Sequence, residues 1–451
     1  MINRLAIFGA TGDLTARYLL PAIAALHASG EAGDALQLIA AGRDDWSSAQ
    51  FRDWAATQLA RHAEDLPATI RAAVASAATY QQADATDPAD VASVVAGEPV
   101  ACYLALPPAV FPRAVSALHD AGLPECSRVV LEKPFGEDLG SAIELNRLLA
   151  ETLPERAVFR VDHFLAMTTV QNLLGTRLAN RVFEPIWNSS HIAEIDIVWD
   201  ESLALEGRAG YYDGVGALKD MLQNHLLQLL CLVAMEPPIS LSERDLRDRK
   251  VDVLRSVRPL AGDDIARGTC RGQYIAGRIG DSEVPGYVDE DGVDPAHRTE
   301  TFAEVELRLD NWRWPDTVFR LRSGKALRRD RKEVAVRFRH VPHLPFAHRG
   351  AEAPNLLRFG LDPENVSLEL TGIGPRPQAL SPMSLAAQLE SPVLPAYGQL
   401  LQSVLSGDCA LAIRGDEAEE SWRVVTPVLE AWAKDAVPLQ DYPAGSDGPA
   451  R

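Results

Sequence analysis

Long hydrophobic runs are missing from this sequence. None reaches the ~18 residues that a membrane-crossing helix requires. The short apolar stretch before Gly9 is too brief for the core of a secretory leader and reads as a first strand. The expected compartment is therefore the cytoplasm. Cysteine is scarce. The five present (102, 126, 231, 270, 409) form no CxxC pair, which excludes a disulfide scaffold and fits a reducing compartment. Positive charge is also short. Lys and Arg total 44 against 63 Asp and Glu, a net charge of −19. A nucleic-acid partner needs a basic face, so none is expected. Anionic small ligands remain open, because a few local cations can hold them inside an acidic protein.

What is present is a soluble composition, 47% hydrophobic and 24% charged, over 451 residues. At ~100–200 residues per unit, two or three folding units are expected. RLAIFGATGDLTARYLLPAIAALHASG reads as strand, glycine turn and helix, with Leu19, Leu20, Ile23 and Leu26 on the helix's apolar face. LQLIAAGRDDW, VACYLALPP and RVVLEKPFG are further strands with exit loops. Alanine-rich helical segments separate them. This alternation predicts a doubly wound parallel sheet, a Rossmann domain, over 1–160. Afterwards period-two segments dominate: HIAEIDIVWDE, TFAEVELRLDNWRWPDTVFRLRSGK, KEVAVRFRHV and VSLEL. They predict an α+β domain over 161–437 with a large, mainly antiparallel sheet. The Pro/Gly/Ser-rich end, 438–451, is expected to be a disordered tail.

Five stretches carry chemistry. GATGDL (Gly9, Thr11, Gly12, Asp13, Leu14) follows a strand and opens a helix, where glycines and the helix N-terminus suit a pyrophosphate. Leu14 stands where the third glycine of GxGxxG would be, so an empty βα turn is the competing reading. GRDDW lies where an adenosine ribose is read. There Arg43 suits a 2′-phosphate, and Asp44 and Asp45 a 2′-hydroxyl. Lys133 in EKPFG ends a strand on the ligand side of such a sheet, although most lysines are simply solvated. DHF offers Asp162 and His163, and QNH offers His225. A histidine oriented by an aspartate is a base; a lone one in an apolar helix is more often a core residue. His340, His343 and His348 lack carboxylate or cysteine at ligand spacing, so no metal is expected.

In order and spacing, FGATGDL, YLALPP, EKPFG, RVDHFL, VQNLL, EGRAGYYD, KDMLQNHLLQLLCLVAMEPP, RGQY, VPGY, TETFAEVEL, DNWRW, RSGKAL and VPHLPF resemble the glucose-6-phosphate dehydrogenase family. The resemblance spans nearly the whole chain, and residues 206–238 are its most specific block. It implies a Rossmann domain joined to an α+β domain, dimers or tetramers formed through the large sheet, and NADP or NAD as cofactor. It implies hydride transfer from C1 of a pyranose, with His225 as base, Asp162 orienting it and Lys133 touching both substrates. It implies sugar contacts from His163, Glu201, Asp213 and Lys325, and cofactor contacts from the 9–14 loop, Arg43 and Pro107.

The phosphate clamp departs from the family pattern. Phe164 replaces a tyrosine, Met167 and Tyr18 replace lysines, and Asp330 stands where a cation is common. At ~1.5–3 kcal/mol per charge-assisted hydrogen bond, losing three donors costs of order 10³-fold in affinity or more. The expectation is therefore an unphosphorylated or modified hexose. The first alternative is ordinary glucose-6-phosphate dehydrogenase with replacement contacts such as Arg17. The second is a non-catalytic scaffold or regulator, which retention of Asp162, His225 and Lys133 weighs against.

Overall fold

The computed structural model describes residues 1–31, 36–205, 207–346, 353–375, 379–390 and 392–450. The chain divides into two units. One is Met1–Met167, Pro238–Asp248 and Ser391–Glu419; the other is Thr168–Pro237, Arg249–Glu390 and Glu420–Arg451. The expected boundaries at 160 and 437 differ from this division because two later segments return to the first unit. The apolar face of helix Ala396–Ser406 explains one return: Leu400, Leu401, Val404 and Leu405 are buried in the same core as Leu19, Leu20 and Leu26.

In the first unit, β1 (Arg4–Phe8), β2 (Gln37–Gly42), β3 (Thr79–Gln82), β4 (Ala101–Leu104), β5 (Arg128–Glu132) and β6 (Val158–Val161) form one sheet in the order 3-2-1-4-5-6. Every neighbouring pair is parallel. A parallel sheet is covered on both faces, so its strands read as apolar runs; β4, ACYL, is buried at all four positions. Some of the intervening helices start on side-chain caps: the reciprocal Ser47–Gln50 and Asp138–Ser141 boxes, and Asp87.

The second unit carries β7 (Ile192–Asp200), β8 (Thr269–Ile275), the small hairpin β9 (Gly277–Ile279) and β10 (Ser282–Val284), β11 (Phe302–Leu307), β12 (Val318–Gly324), β13 (Arg331–Phe338), β14 (Leu356–Leu361), β15 (Glu364–Ile373), β16 (Leu380–Gln388) and β17 (Leu439–Pro443). Apart from the hairpin, they build a nine-stranded sheet in the order 16-15-14-13-7-12-11-8-17. Pairing is antiparallel except for β7 with β12 and β8 with β17. HIAEIDIVWDE, which alternates like a strand with one wet face, is the central β7. Its charged face is covered too: Asp196 and Asp200 are buried. Arginines from neighbouring strands make that burial tolerable. Arg320 reaches Asp196 at 2.7 Å, Glu194 at 3.1 Å and Glu306 at 3.3 Å, and Arg322 reaches Asp200 at 3.0 Å. The opposite face of these strands is apolar (Ile195, Ile197, Phe319, Leu321) and packs against the helical segment Leu218–Leu226.

That segment continues as helix Leu227–Ala234, whose last carbonyls lack helical partners, as at any helix end. Buried side chains satisfy them. Trp187 donates to Val233, Trp314 to Ala234, and Arg177 to Leu232 and Met235, all at 2.8–2.9 Å. The expected disordered tail is a correction. Residues 439–443 form the edge strand β17, with Tyr442 and Ala444 buried. Its glycine marks close packing rather than disorder: Gly445 has φ +83°, and a Cβ there would lie 1.8 Å from the Arg278 carbonyl oxygen. Of the stretches singled out in the sequence, Glu206 and His348 lie outside the described residues.

Replacing Arg320 with Met should strand carboxylates on β7 and β11. We expect a loss of roughly 2–4 kcal/mol, below the ~3–5 kcal/mol of a fully buried pair because Arg320 is 23% exposed. Urea unfolding measures it, and adding Asp196→Asn should recover part of the loss.

Candidate active site

In a doubly wound sheet, ligands bind beyond the carboxyl ends of the strands. The candidate residues of the first unit all sit there. Gly9–Leu14 follow β1, Arg43 follows β2, Pro107 follows β4, Lys133 follows β5, and Asp162 and His163 follow β6. Gly9 cannot be another residue: φ is +82°, and a Cβ would lie 2.3 Å from the Ala105 carbonyl oxygen. Gly9 and Ala10 donate to the Ala41 carbonyl, which pulls the loop across β2. Among the described residues, the backbone N–H groups of Thr11, Asp13 and Leu14 donate to no backbone carbonyl. Donors of this kind at a helix start fit a pyrophosphate, so the residues present suit a dinucleotide. Arg43 is exposed, and Asp44 accepts the Thr11 hydroxyl at 2.6 Å. Arg17, considered as a replacement phosphate contact, is paired with Asp13 at 3.1 Å.

Asp162 opens the turn His163–Ala166. It is buried, and its Oδ1 accepts the Phe164 N–H at 3.0 Å. The His163 ring stacks on Tyr397, with centroids 5.4 Å apart. Beside Lys133, Glu132 accepts hydrogen bonds from the Tyr103 and Tyr397 hydroxyls. Burial pushes its carboxyl up to about 7. The Tyr103 bond opposes this rise, and the charge of Asp162 adds to it. Glu132 was not a sequence-level candidate; its adjacency to Lys133 was the only signal.

In the second unit, β7 and β12 run parallel with Asp200 opposite Gly324. Glu201 and Lys325, the next residues, therefore leave the sheet at the same edge and form an ion pair. The supposed tail holds this loop. The Tyr442 hydroxyl donates to the Lys325 carbonyl at 2.8 Å, Gly445 N–H to the Ala326 carbonyl at 2.8 Å, and Arg328 N–H to the Ser446 carbonyl at 2.8 Å. Asp330 accepts both the N–H and the hydroxyl of Ser202 at 2.7 Å, so its carboxylate caps a neighbouring turn.

His225 is buried in Leu218–Leu226, a π-helical stretch with i→i+5 bonding such as Leu227 N–H to the Leu222 carbonyl. Such stretches are frequent at functional sites. Glu300 accepts the Leu218 N–H at 3.1 Å at its start. Asp213 is differently placed from the expectation of a sugar contact. Tyr287 and Thr299 donate to Oδ1, at 3.0 and 2.8 Å, and Asp294 N–H and His297 to Oδ2, at 3.0 and 2.6 Å. Burial alone would raise its carboxyl, but these donors hold it below the usual carboxylate range. Asp220 escaped the sequence reading. It precedes His225 by five residues, and in i→i+5 geometry that spacing puts both on one face.

The chain matches two adjoining family models: glucose-6-phosphate dehydrogenase, NAD binding domain, over residues 6–172, and glucose-6-phosphate dehydrogenase, C-terminal domain, over residues 174–451. It is 41% identical to a glucose-6-phosphate 1-dehydrogenase of Mycolicibacterium smegmatis, covering 98% of this chain and 93% of the relative. It is 37% identical to one of Zymomonas mobilis, covering 100% and 96%. Among solved structures, glucose-6-phosphate 1-dehydrogenase from Mycobacterium avium superposes with a TM-score of 0.86 at 33% identity, covering 100% and 96%. A glucose-6-phosphate dehydrogenase in complex with glucose-6-phosphate gives 0.89 at 30%, covering 99% and 96%.

Two predictions come from these contacts. Glu132 is protonated in both folded and unfolded chains at low pH. As pH rises from its ordinary range of ~4.5 toward 7, the unfolded chain ionises first, so Glu132 makes stability fall across that window. Glu132→Gln should lack this slope. Its stability relative to wild type should climb from about pH 5 and level off above about pH 7, by at most ~3 kcal/mol. Thermal melts across that range test it. Tyr442→Phe leaves the Lys325 carbonyl without its donor and should cost about 1–3 kcal/mol in chemical denaturation.

Proposed function

The chain belongs to the glucose-6-phosphate dehydrogenase family, and on that footing we propose that it oxidises C1 of glucose 6-phosphate, with NADP or NAD as hydride acceptor and a lactone as product. It is an NAD(P)-dependent oxidoreductase acting on a CH–OH group. The observation that carries the substrate is the end-to-end match to relatives named glucose-6-phosphate 1-dehydrogenase, with Asp162, His225 and Lys133 all in place. The unphosphorylated hexose expected from the depleted clamp has less behind it. It rests on the donors lost at Phe164, Met167 and Tyr18, against relatives named for the phosphorylated sugar along the whole chain.

The nicotinamide, when bound, accepts the hydride that leaves C1. The chain's own residues manage the proton and the pose. His225 takes the proton of the C1 hydroxyl as the C1–O bond becomes a carbonyl, and Asp162 orients its imidazole. Lys133 faces the reacting carbon and its acceptor. Glu201 and Lys325, an ion pair at the shared end of β7 and β12, hold sugar hydroxyls. We assign to Asp220 the hydroxyl contact expected of Asp213, because Asp213 is saturated by four donors and Asp220 shares a helical face with His225. His163 takes the phosphate. Assembly into a homodimer or homotetramer through the large sheet is supported by the apolar patch of Leu368, Leu370, Met383 and Leu385 on one face of β15 and β16.

Reduction of NAD and NADP should be followed with glucose 6-phosphate and free glucose side by side. Glucose 6-phosphate is the expected substrate; turnover of free glucose alone would refute the proposal. His225→Ala should lose about 10²–10⁴-fold in kcat while still binding the cofactor. Undiminished kcat would remove His225 as the base.

A further inference from the structure

The helical segment Leu218–Leu226, which carries Asp220 and His225, starts without a cap of its own. Ala217 before it has no polar side chain, and the first N–H groups of a helix find no acceptor within it. A residue from another part of the second unit supplies the acceptors. The Ala217 N–H donates to the Glu300 backbone carbonyl and the Leu218 N–H to Glu300 Oε1, both at 3.1 Å. The chain crosses this buried carboxyl at Gly216, where a Cβ would collide with it. The turn just before is tied to the same place: the Gly214 N–H donates to the Thr299 hydroxyl at 2.9 Å.

Glu300 also stands at the head of β11, whose partner β12 leads into Lys325. Phe302 pairs with Gly324, and the Lys325 N–H donates to the Thr301 carbonyl at 2.9 Å. Two consecutive residues, Glu300 and Thr301, thus grip both the start of the π-helical segment and the loop of Lys325. Trp187, Trp314 and Arg177 fix the far end of the same helix. Glu300 fixes the end nearer to Asp220.

We propose that Glu300 is a positioning residue for the reaction, setting Asp220 and His225 against Lys325 through its hold on the start of their helix. The proposal rests on the sugar-oxidation reading and adds to it a residue that acts through others. The role asks for an oxygen acceptor at a fixed reach rather than for a charge. Burial lifts the Glu300 carboxyl to about 7, against the Leu218 N–H and the charges of Arg271 and Lys219. Charged and neutral forms are therefore both present near neutral pH, and each offers an oxygen to the Leu218 N–H. The ionised form is favoured further by the positive end of the helix dipole.

The test compares Glu300→Ala, Glu300→Gln and Glu300→Asp with wild type on glucose 6-phosphate and NADP. Native folding of the second unit is followed by near-ultraviolet circular dichroism of its buried tryptophans. Glu300→Ala removes the acceptor; a displacement of reacting groups by ~1 Å costs about 10²-fold, and a fall of that order in kcat is expected with KM for NADP unchanged. Glu300→Gln keeps an oxygen at the same reach and should restore kcat to within a few-fold of wild type. Glu300→Asp keeps the charge but withdraws it by one methylene, and should lose nearly as much as Glu300→Ala. If Glu300→Ala does not fold, the Gln and Asp variants decide. Wild-type kcat in folded Glu300→Ala or Glu300→Asp overturns the proposal, and so does Glu300→Gln as impaired as Glu300→Ala. Failure of all three to fold would make Glu300 a folding residue and overturn it too. Wild type that oxidises free glucose and not glucose 6-phosphate would refute the substrate reading alone, since the same comparison then runs on glucose.

Discussion

The register of β7 against β12 is the constraint on which the second unit depends. In an otherwise antiparallel neighbourhood these two strands run side by side, with Asp200 opposite Gly324. Parallel strands end together, so residues 124 positions apart in sequence, Glu201 and Lys325, are delivered to one edge. The same register sets Arg320 opposite Asp196. A one-residue slip would turn Glu194, Asp196 and Asp200 into the apolar layer under Leu218–Leu226, and Ile195 and Ile197 into the ionic one. Ion pairing, helix packing and the edge that carries Glu201 and Lys325 are thus one decision made once along the strand.

Much of the first unit was legible because its signals are local. The apolar run LAIF ends at Gly9, ACYL is followed closely by Pro107 and Pro108, and GATGDL lies between strand and helix within a dozen residues. What escaped the sequence was set by partners far away. HIAEIDIVWDE looks half-solvated until arginines from two other strands cover its acids. The last residues look disordered by composition, yet Gly445 is there because the Arg278 carbonyl leaves no room for a Cβ. Asp330 turns its carboxylate to Ser202, a direction that its place in the sequence does not give. The common face of Asp220 and His225 escaped too, since a spacing of five falls on no common face in an ordinary helix but does so in a π-helical stretch.

Electrostatics separates the two units' roles. The second holds its buried acids with arginines. The first holds the Glu132 carboxyl up at about 7 by burial and the field of Asp162, against two tyrosine hydroxyls that favour its charged form. A carboxyl that is only partly charged near pH 7 adds less to the negative charge of Asp162 than an ordinary glutamate would. An acidic protein of net charge −19 can therefore present an anion site without a general excess of cations.

The return of Ser391–Glu419 to the first unit also bears on how the molecule can come into being. A ribosome that has made only the six parallel strands has emitted a sheet whose helix layer is incomplete. Leu19, Leu20 and Leu26 wait for partners roughly 380 residues downstream. Synthesis order and folding order therefore differ for this layer: until residue 405 emerges, the nascent chain carries an apolar surface without its partners.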